Sequence, residues 1–133
     1  MSRVREAMVP EPKTLDVSAP ATEAGQLLAR PEVRAILVTD DGRLAGVITR
    51  KTLVREVVAP GRDPKTTPAG EIAEEPHYTI DASEPLEEAF RFLEEHDAER
   101  VPVLEDGRLV GVLSRSVLQR RLAEDEPPQV LEL

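Results

Sequence analysis

The sequence predicts an α+β fold of two tandem βαββα units, packed sheet to sheet as a pseudo-twofold module. Three observations carry this expectation. Val4–Val58 falls on Ala69–Ala123 at a constant shift of 65 positions, with no gap. Each copy runs through the same order of β-rich, amphipathic, paired apolar and again amphipathic stretches. Each copy, of roughly fifty residues, lies near the lower size limit for folding alone, so the halves are expected to share a core.

The register is dense. Thr14-Leu15-Asp16 meets Thr79-Ile80-Asp81, and Ser18-Ala19-Pro20 meets Ser83-Glu84-Pro85. Asp41-Gly42-Arg43-Leu44 meets Asp106-Gly107-Arg108-Leu109, and Gly46-Val47 meets Gly111-Val112. Matches at one fixed shift mean duplication of one supersecondary unit.

The elements follow in order. Thr14–Val17 and Thr79–Ala82 are short and rich in β-formers. Ser18 and Ser83 are expected to cap the next helices, with Pro20 and Pro85 in the first turn. In the second copy Leu86, Ala89, Phe90 and Leu93 form an i, i+3, i+4, i+7 stripe. Ala21, Ala24, Leu27 and Leu28 are the weaker counterpart, ended by Pro31. Ala35–Thr39 and Leu44–Ile48 flank Asp41-Gly42, and Val101–Leu104 and Leu109–Leu113 flank Asp106-Gly107, so each pair reads as a hairpin. These strands are apolar on both faces and call for helical cover. Closing helices are expected over roughly 50–58 and 115–124. The resulting organisation is a first unit at 1–60, a linker at 61–68, a second unit at 69–124 and a tail at 125–133. Prolines and Gly61 mark the linker.

Composition narrows the function. Seventeen Lys and Arg against 26 Asp and Glu give a net charge of −9, which repels phosphate backbones and anionic lipid. Aromatic residues make up only 2 %, too few for base-stacking platforms. No cysteine is present, so disulfides, thiolate nucleophiles and sulfur-ligated metals are excluded. Residues 1–8 show no secretory signal, and no run approaches the roughly 20 apolar residues of a membrane helix. A cytoplasmic location is expected.

Gly46-Val47-Ile48-Thr49 and Gly111-Val112-Leu113-Ser114 each precede a helix. With Arg100-Val101-Pro102-Val103, the run from Glu105 to Gly111 and the duplication itself, they resemble the CBS-domain family over nearly the whole chain. That resemblance implies a stand-alone pair of regulatory units. In the cleft between them it implies an adenosine-containing ligand: AMP, ADP, ATP or S-adenosylmethionine. It also implies a disc-like homodimer and a protein effector acted on in trans.

The residues themselves agree in part. A strand ending in Thr49 or Ser114 and entering a helix presents a hydroxyl and free N–H groups. Arg50, Lys51 and Arg115 sit where positive charge opposes the helix dipole, so an anion would relieve them. Two readings stay open: Thr49 and Ser114 as helix caps, or as phosphate contacts. Ser116, Arg100, Thr14, Thr79 and Ile80 complete the candidate ligand-binding set. The family pattern implies an acidic residue three positions after the hydroxyl, to hold the ribose. Here those positions are Thr52, which offers one hydrogen bond, and Val117, which offers none. Adenosine binding that is weak, confined to one copy or absent follows.

Catalysis and a resident cofactor are not expected. His77 and His96 lack partners at metal-ligand spacing, and His96 suits a helix C-cap. No Ser-His-Asp order, P-loop or dinucleotide fingerprint is visible. The expected function is a nucleotide-sensing regulatory module; the alternative is a ligand-free dimerisation scaffold. Leu27, Leu53, Val54, Val57, Val58, Phe92, Val117, Leu118 and Leu122 need cover, which a homodimer would supply. So would the tail, through Val130, Leu131 and Leu133.

Overall fold

The computed structural model describes residues 2–125, so Val130, Leu131 and Leu133 lie outside the described residues. Chain order is α1 (Val4–Ala7), β1 (Val9–Pro10), β2 (Thr14–Asp16), α2 (Ala21–Leu28), β3 (Ile36–Asp40), β4 (Arg43–Ile48) and α3 (Arg50–Leu53). A π turn follows (Val54–Val58). Then come α4 (Ala69–Ile72), β5 (Ile80–Asp81), α5 (Leu86–Glu95), β6 (Arg100–Glu105), β7 (Arg108–Ser114) and α6 (Arg115–Asp125). The fold is α+β, and both copies hold the βαββα order. Contacts divide the chain into two compact units.

One unit comprises residues 12–77 and 106–109. β2 pairs in parallel with β3, Thr14 opposite Leu37, and β3 pairs antiparallel with β4, Ile36 opposite Ile48. α2 makes the crossover between the parallel strands. Leu15, Ala24, Leu28, Ile36, Val38, Ile48, Val57, Ala69 and Ile72 form its aliphatic core. The other unit comprises, among the described residues, 2–11, 78–105 and 110–125. Here β5 pairs in parallel with β6, and β1 pairs antiparallel with β7. Its core is Val4, Ile80, Ala82, Leu86, Ala89, Leu93, Val101, Val103, Leu113 and Leu118.

The leading segment of each repeat is therefore used by the strands of the other copy. Val4 of α1 is fully buried in the core around β5–β7, while Ala69 and Ile72 of α4 are buried in the core around β2–β4. Neither short helix is expected from the sequence, because four residues do not show a helical period.

The hairpins form as the Asp-Gly pairs predict. Asp41 and Gly42 have φ of 51° and 82°, and Asp106 and Gly107 have 52° and 78°. Left-handed values at both central positions are those of a type I′ turn.

The expected serine caps are corrected. α2 and α5 start after Pro20 and Pro85, which occupy the N-cap positions with no side-chain cap bond. Ser18 instead donates its N–H (2.9 Å) and hydroxyl (2.5 Å) to Asp16, and Ser83 does the same to Asp81 (2.9 and 2.6 Å). These Asx turns compete with capping for the same short side chains. The first helical N–H groups are met by backbone carbonyls: Ala21 donates to Thr67 (2.8 Å), and Leu86 to Ser2 (3.1 Å). The closing helix of the first copy is also modified, since only Arg50–Leu53 is α-helical before the π turn begins.

Candidate functional site

The two strand-to-helix junctions occupy matching places but differ in their bonds. At the first, β4 ends and Thr49 becomes the N-cap of α3. Thr52 N–H donates to Thr49 Oγ1 (3.3 Å), and Thr49 N–H donates to Thr52 Oγ1 (3.0 Å). The two hydroxyls lie 3.0 Å apart. This reciprocal pair is a capping box made by two threonines. Thr52 is 0 % exposed, while Thr49 is half-buried. The cap reading of Thr49 therefore holds, and the sequence expectation that Thr52 keeps a bond for a ribose meets a buried, already bonded hydroxyl. A contact from Thr49 to a phosphate remains compatible with this arrangement, because a hydroxyl both donates and accepts.

Around this junction the side chains are basic. Arg50 Nη2 donates to the Arg30 carbonyl (2.7 Å). Lys51 is exposed, as is Arg34. Because Ile36 lies opposite Ile48, the chain entering β3 at Arg34 runs beside the chain leaving β4 at Arg50. Among the described residues no carboxylate pairs with Arg50 or Lys51.

At the second junction β7 runs into α6. Val117 N–H donates to Ser114 Oγ (3.4 Å), and the Ser114 and Ser116 hydroxyls lie 2.9 Å apart. Ser114 thus also caps, more loosely. Arg115 N–H donates to the Glu99 carbonyl (2.7 Å), and Ser116 N–H to Glu99 Oε1 (3.4 Å). The Arg115 guanidinium pairs with Asp97 (3.2 Å) and with the other oxygen of Glu99 (3.6 Å). Negative charge is favourable at this end of a helix. Arg115 is therefore relieved by carboxylates of its own chain. Glu99 is not among the residues expected from the sequence, although the register carries its signal: position 99 corresponds to position 34, a glutamate against an arginine.

The remaining candidates lie on other elements, apart from Val117 on α6. Thr14 is exposed at the start of β2, Thr79 is exposed just before β5, and Arg100 is exposed at the start of β6. Ile80 is a core side chain at 7 % exposure. Val117, at the second ribose position, is half-buried.

Three rings meet elsewhere. His96 is the C-cap of α5, as expected, and its ring packs on Phe92 (4.4 Å) and Tyr78 (4.5 Å). Among the described residues no group of three or more His, Asp or Glu could hold a metal ion. No described helix is long and apolar enough to cross a membrane. Two carboxyls among the described residues have clearly perturbed acidity. The Ser18 hydroxyl and then its N–H hold Asp16 below the usual carboxylate value, and Ser83 does the same for Asp81.

Duplicated α+β units with a hydroxyl at each strand-to-helix junction define a tandem two-unit module. The CBS-domain family model matches residues 4–59 and 69–124. The chain belongs to the CBS-domain family, as a tandem pair. Hypoxic response protein 1 of Mycobacterium tuberculosis is 36 % identical over 104 residues, which cover 77 % of this chain and 73 % of that protein. The CBS domain-containing protein YhcV of Bacillus subtilis is 28 % identical, over 86 % of this chain and 81 % of its own. Among solved structures, Hypoxic Response Protein I with two coordinated zinc ions superposes with a TM-score of 0.76 at 31 % identity, over 91 % of this chain and 99 % of that one. CBSX2 in complex with AMP has a TM-score of 0.73 at 24 % identity, over 94 % and 98 %, a likeness of fold. This chain has no cysteine, and its described residues hold no cluster of three or more zinc-ligating side chains.

Proposed function

We propose that this CBS pair is a cytoplasmic, non-catalytic regulatory module. It senses an adenosine-containing nucleotide at its strand-to-helix junctions and acts in trans on a protein effector. The observation that carries the reading is the first junction. There the half-buried Thr49 hydroxyl caps a helix that opens with Arg50 and Lys51, beside the strand entry at Arg34, and no carboxylate pairs with Arg50 or Lys51 among the described residues. When Thr52 O–H donates to Thr49 Oγ1, the Thr49 O–H stays available to a phosphate oxygen. The basic side chains supply charge-assisted bonds. CBSX2, a protein of the same fold, is in complex with AMP, which makes adenine nucleotides the first ligands to test.

The ligand-free scaffold reading has its own support. Thr52 stands where the family's ribose-holding acid would be, and it is buried. A thermal-shift series with AMP, ADP, ATP and S-adenosylmethionine separates the two. A ligand at 100 times its Kd should add about 2.7 kcal/mol of stability. Thr49→Ala should weaken that binding by about 1.5–3 kcal/mol, the worth of a hydrogen bond to a charged group. No shift with any of the four at millimolar concentration would leave the scaffold reading in place.

The module is further proposed to be a homodimer. Val54 and Val58 are 58 % and 70 % exposed on the π turn, while Val57 and Leu118, expected to need a partner's cover, are buried by their own units. Light scattering should give twice the 14.7 kDa chain mass at tens of micromolar; a species at the chain mass would overturn the dimer at that concentration.

A further inference from the structure

We infer that Glu99 is a built-in competitor for anions at the second junction, so that a phosphate-bearing ligand is taken by the first repeat alone. This rests on the proposed nucleotide reading and deepens it, by assigning the ligand to one copy and naming the residue that closes the other.

The repeats match closely through the hairpins and junctions, yet position 34 is Arg and position 99 is Glu. The glutamate works from both ends. One carboxylate oxygen accepts from Ser116 N–H (3.4 Å), and the other faces Arg115 Nε (3.6 Å). Its backbone carbonyl takes the Arg115 N–H (2.7 Å), and Val117 N–H goes to Ser114 Oγ (3.4 Å). The three N–H groups that open α6 are thus all met within the chain. Asp97 holds the end of the Arg115 guanidinium at 3.2 Å. An incoming phosphate would find its donors in use and two carboxylates facing it.

At the first junction the corresponding residues produce the opposite field. Glu32 stands at the place of Asp97, but Arg34 replaces Glu99, and Arg50 donates to the Arg30 carbonyl with no carboxylate on it among the described residues. Arg34, Arg50 and Lys51 lie on the two adjoining chain segments there, against the one carboxylate of Glu32. Both Glu99 contacts are long, and Glu99 is exposed, so the block is a competition and not a covalent or steric plug. A competitor of that strength shifts affinity several-fold in favour of the first junction.

The test is a pair of charge exchanges in the full chain, Glu99→Arg and Arg34→Glu, with Glu99→Gln as the near-isosteric form. Amide NMR follows Ser116 and Val117 at the second junction, and Lys51 and Thr52 at the first, during titration with inorganic tripolyphosphate and then with ATP. Wild type should show shifts confined to the first junction. Glu99→Gln and Glu99→Arg should bring Ser116 into the tripolyphosphate titration, at least threefold more tightly than in wild type, and raise the ATP stoichiometry towards two per chain. Arg34→Glu should weaken the first junction to a similar degree. A wild-type Ser116 that titrates as readily as in the variants overturns the inference. So does a Ser116 that stays silent in both folded Glu99 variants. The two proposals fail separately: a wild type indifferent to AMP, ADP, ATP and S-adenosylmethionine sinks the nucleotide reading, while tripolyphosphate at Ser116 still decides the role of Glu99.

Discussion

Gly46→Ala should destabilise the protein far more than a surface glycine change, for a reason visible only in the fold. The leading segment of the second repeat crosses β4 at this residue. A Cβ on Gly46 would lie 2.7 Å from the Ala73 Cβ and 2.9 Å from the Glu74 carbonyl oxygen. The second contact is backbone, which cannot swing aside as a side chain can. Val47 and Glu74 exchange two backbone bonds there, Val47 N–H to Glu74 O (2.8 Å) and Glu74 N–H to Val47 O (2.9 Å). Overpacking costs about 1–3 kcal/mol. Weakening the bonded pair adds about 1 kcal/mol for each bond lost. Against this, alanine restricts the unfolded chain and returns about 0.4–1 kcal/mol. The net expectation is a loss of about 2–3 kcal/mol, which for a chain of this size lowers Tm by on the order of 10 °C. Gly111→Ala, whose Cβ would meet the Met8 sulfur at 2.6 Å and the Val9 carbonyl at 2.8 Å, should behave alike. The control is Gly25→Ala in α2. Its nearest neighbour would be Leu53 Cδ1 at 3.9 Å, so helix propensity should leave it neutral or slightly more stable. Circular dichroism melts of the three variants decide the matter. If Gly46→Ala melts with Gly25→Ala, the close crossing of segment and strand is wrong.

Other expectations concern the core, one buried hydroxyl and pH. Val4→Ala should cost about 2 kcal/mol, because Val4 is fully buried among second-repeat side chains; urea unfolding that shows no change would mean the N-terminal segment is not part of that core. Thr22 Oγ1 is buried with no hydrogen-bond partner among the described residues, so Thr22→Val, which keeps the shape, should be neutral or raise the urea midpoint, and a clear loss would refute it. Asp16 and Asp81 have their acidity strengthened chiefly by the Ser18 and Ser83 hydroxyls, so the unfolded chain binds these protons first on acidification. The stability they contribute is therefore complete above the ordinary carboxylate value near 3.8 and is lost as pH falls through the lower folded values. Ser18→Ala with Ser83→Ala should flatten that part of the acid limb, and an unchanged limb would count against the two turns.

Much of this fold is legible in the sequence alone. The Asp-Gly pairs dictate hairpin turns because both central residues need positive φ; the β3–β4 pairing follows from the turn only as far as Thr39 opposite Leu44, after which a bulge shifts it by one residue. The α5 stripe is equally plain, and Leu86, Ala89 and Leu93 are buried where the period puts them. What stays hidden is whatever depends on a distant backbone. Ser18 has the composition of a cap, but whether it caps or folds back on Asp16 depends on who else satisfies Ala21 N–H, and the Thr67 carbonyl lies far along the chain. α1 and α4 are too short to announce themselves, although Gly46 and Gly111, the first residues of each Gly-hydrophobic-hydrophobic-hydroxyl run, are the places where the segments just after these helices press close.

The same logic separates the parts of the site that the repeat shows from those it conceals. Equivalence in sequence identifies both junctions at once and makes them look interchangeable. The physics lies in the few pairs that break the equivalence. Thr52 against Val117 decides whether a second hydroxyl supports the cap. Arg34 against Glu99 decides the sign of the charge facing it. The π turn at Val54–Val58, against an uninterrupted α6, decides where apolar surface is left exposed. Each of these can be found by subtracting one copy from the other, yet none has a direction until the fold shows what each side chain touches. A duplicated module can therefore keep one fold in both halves while assigning binding to one of them, because the core positions that hold the fold match in polarity and the junction positions that set the charge do not.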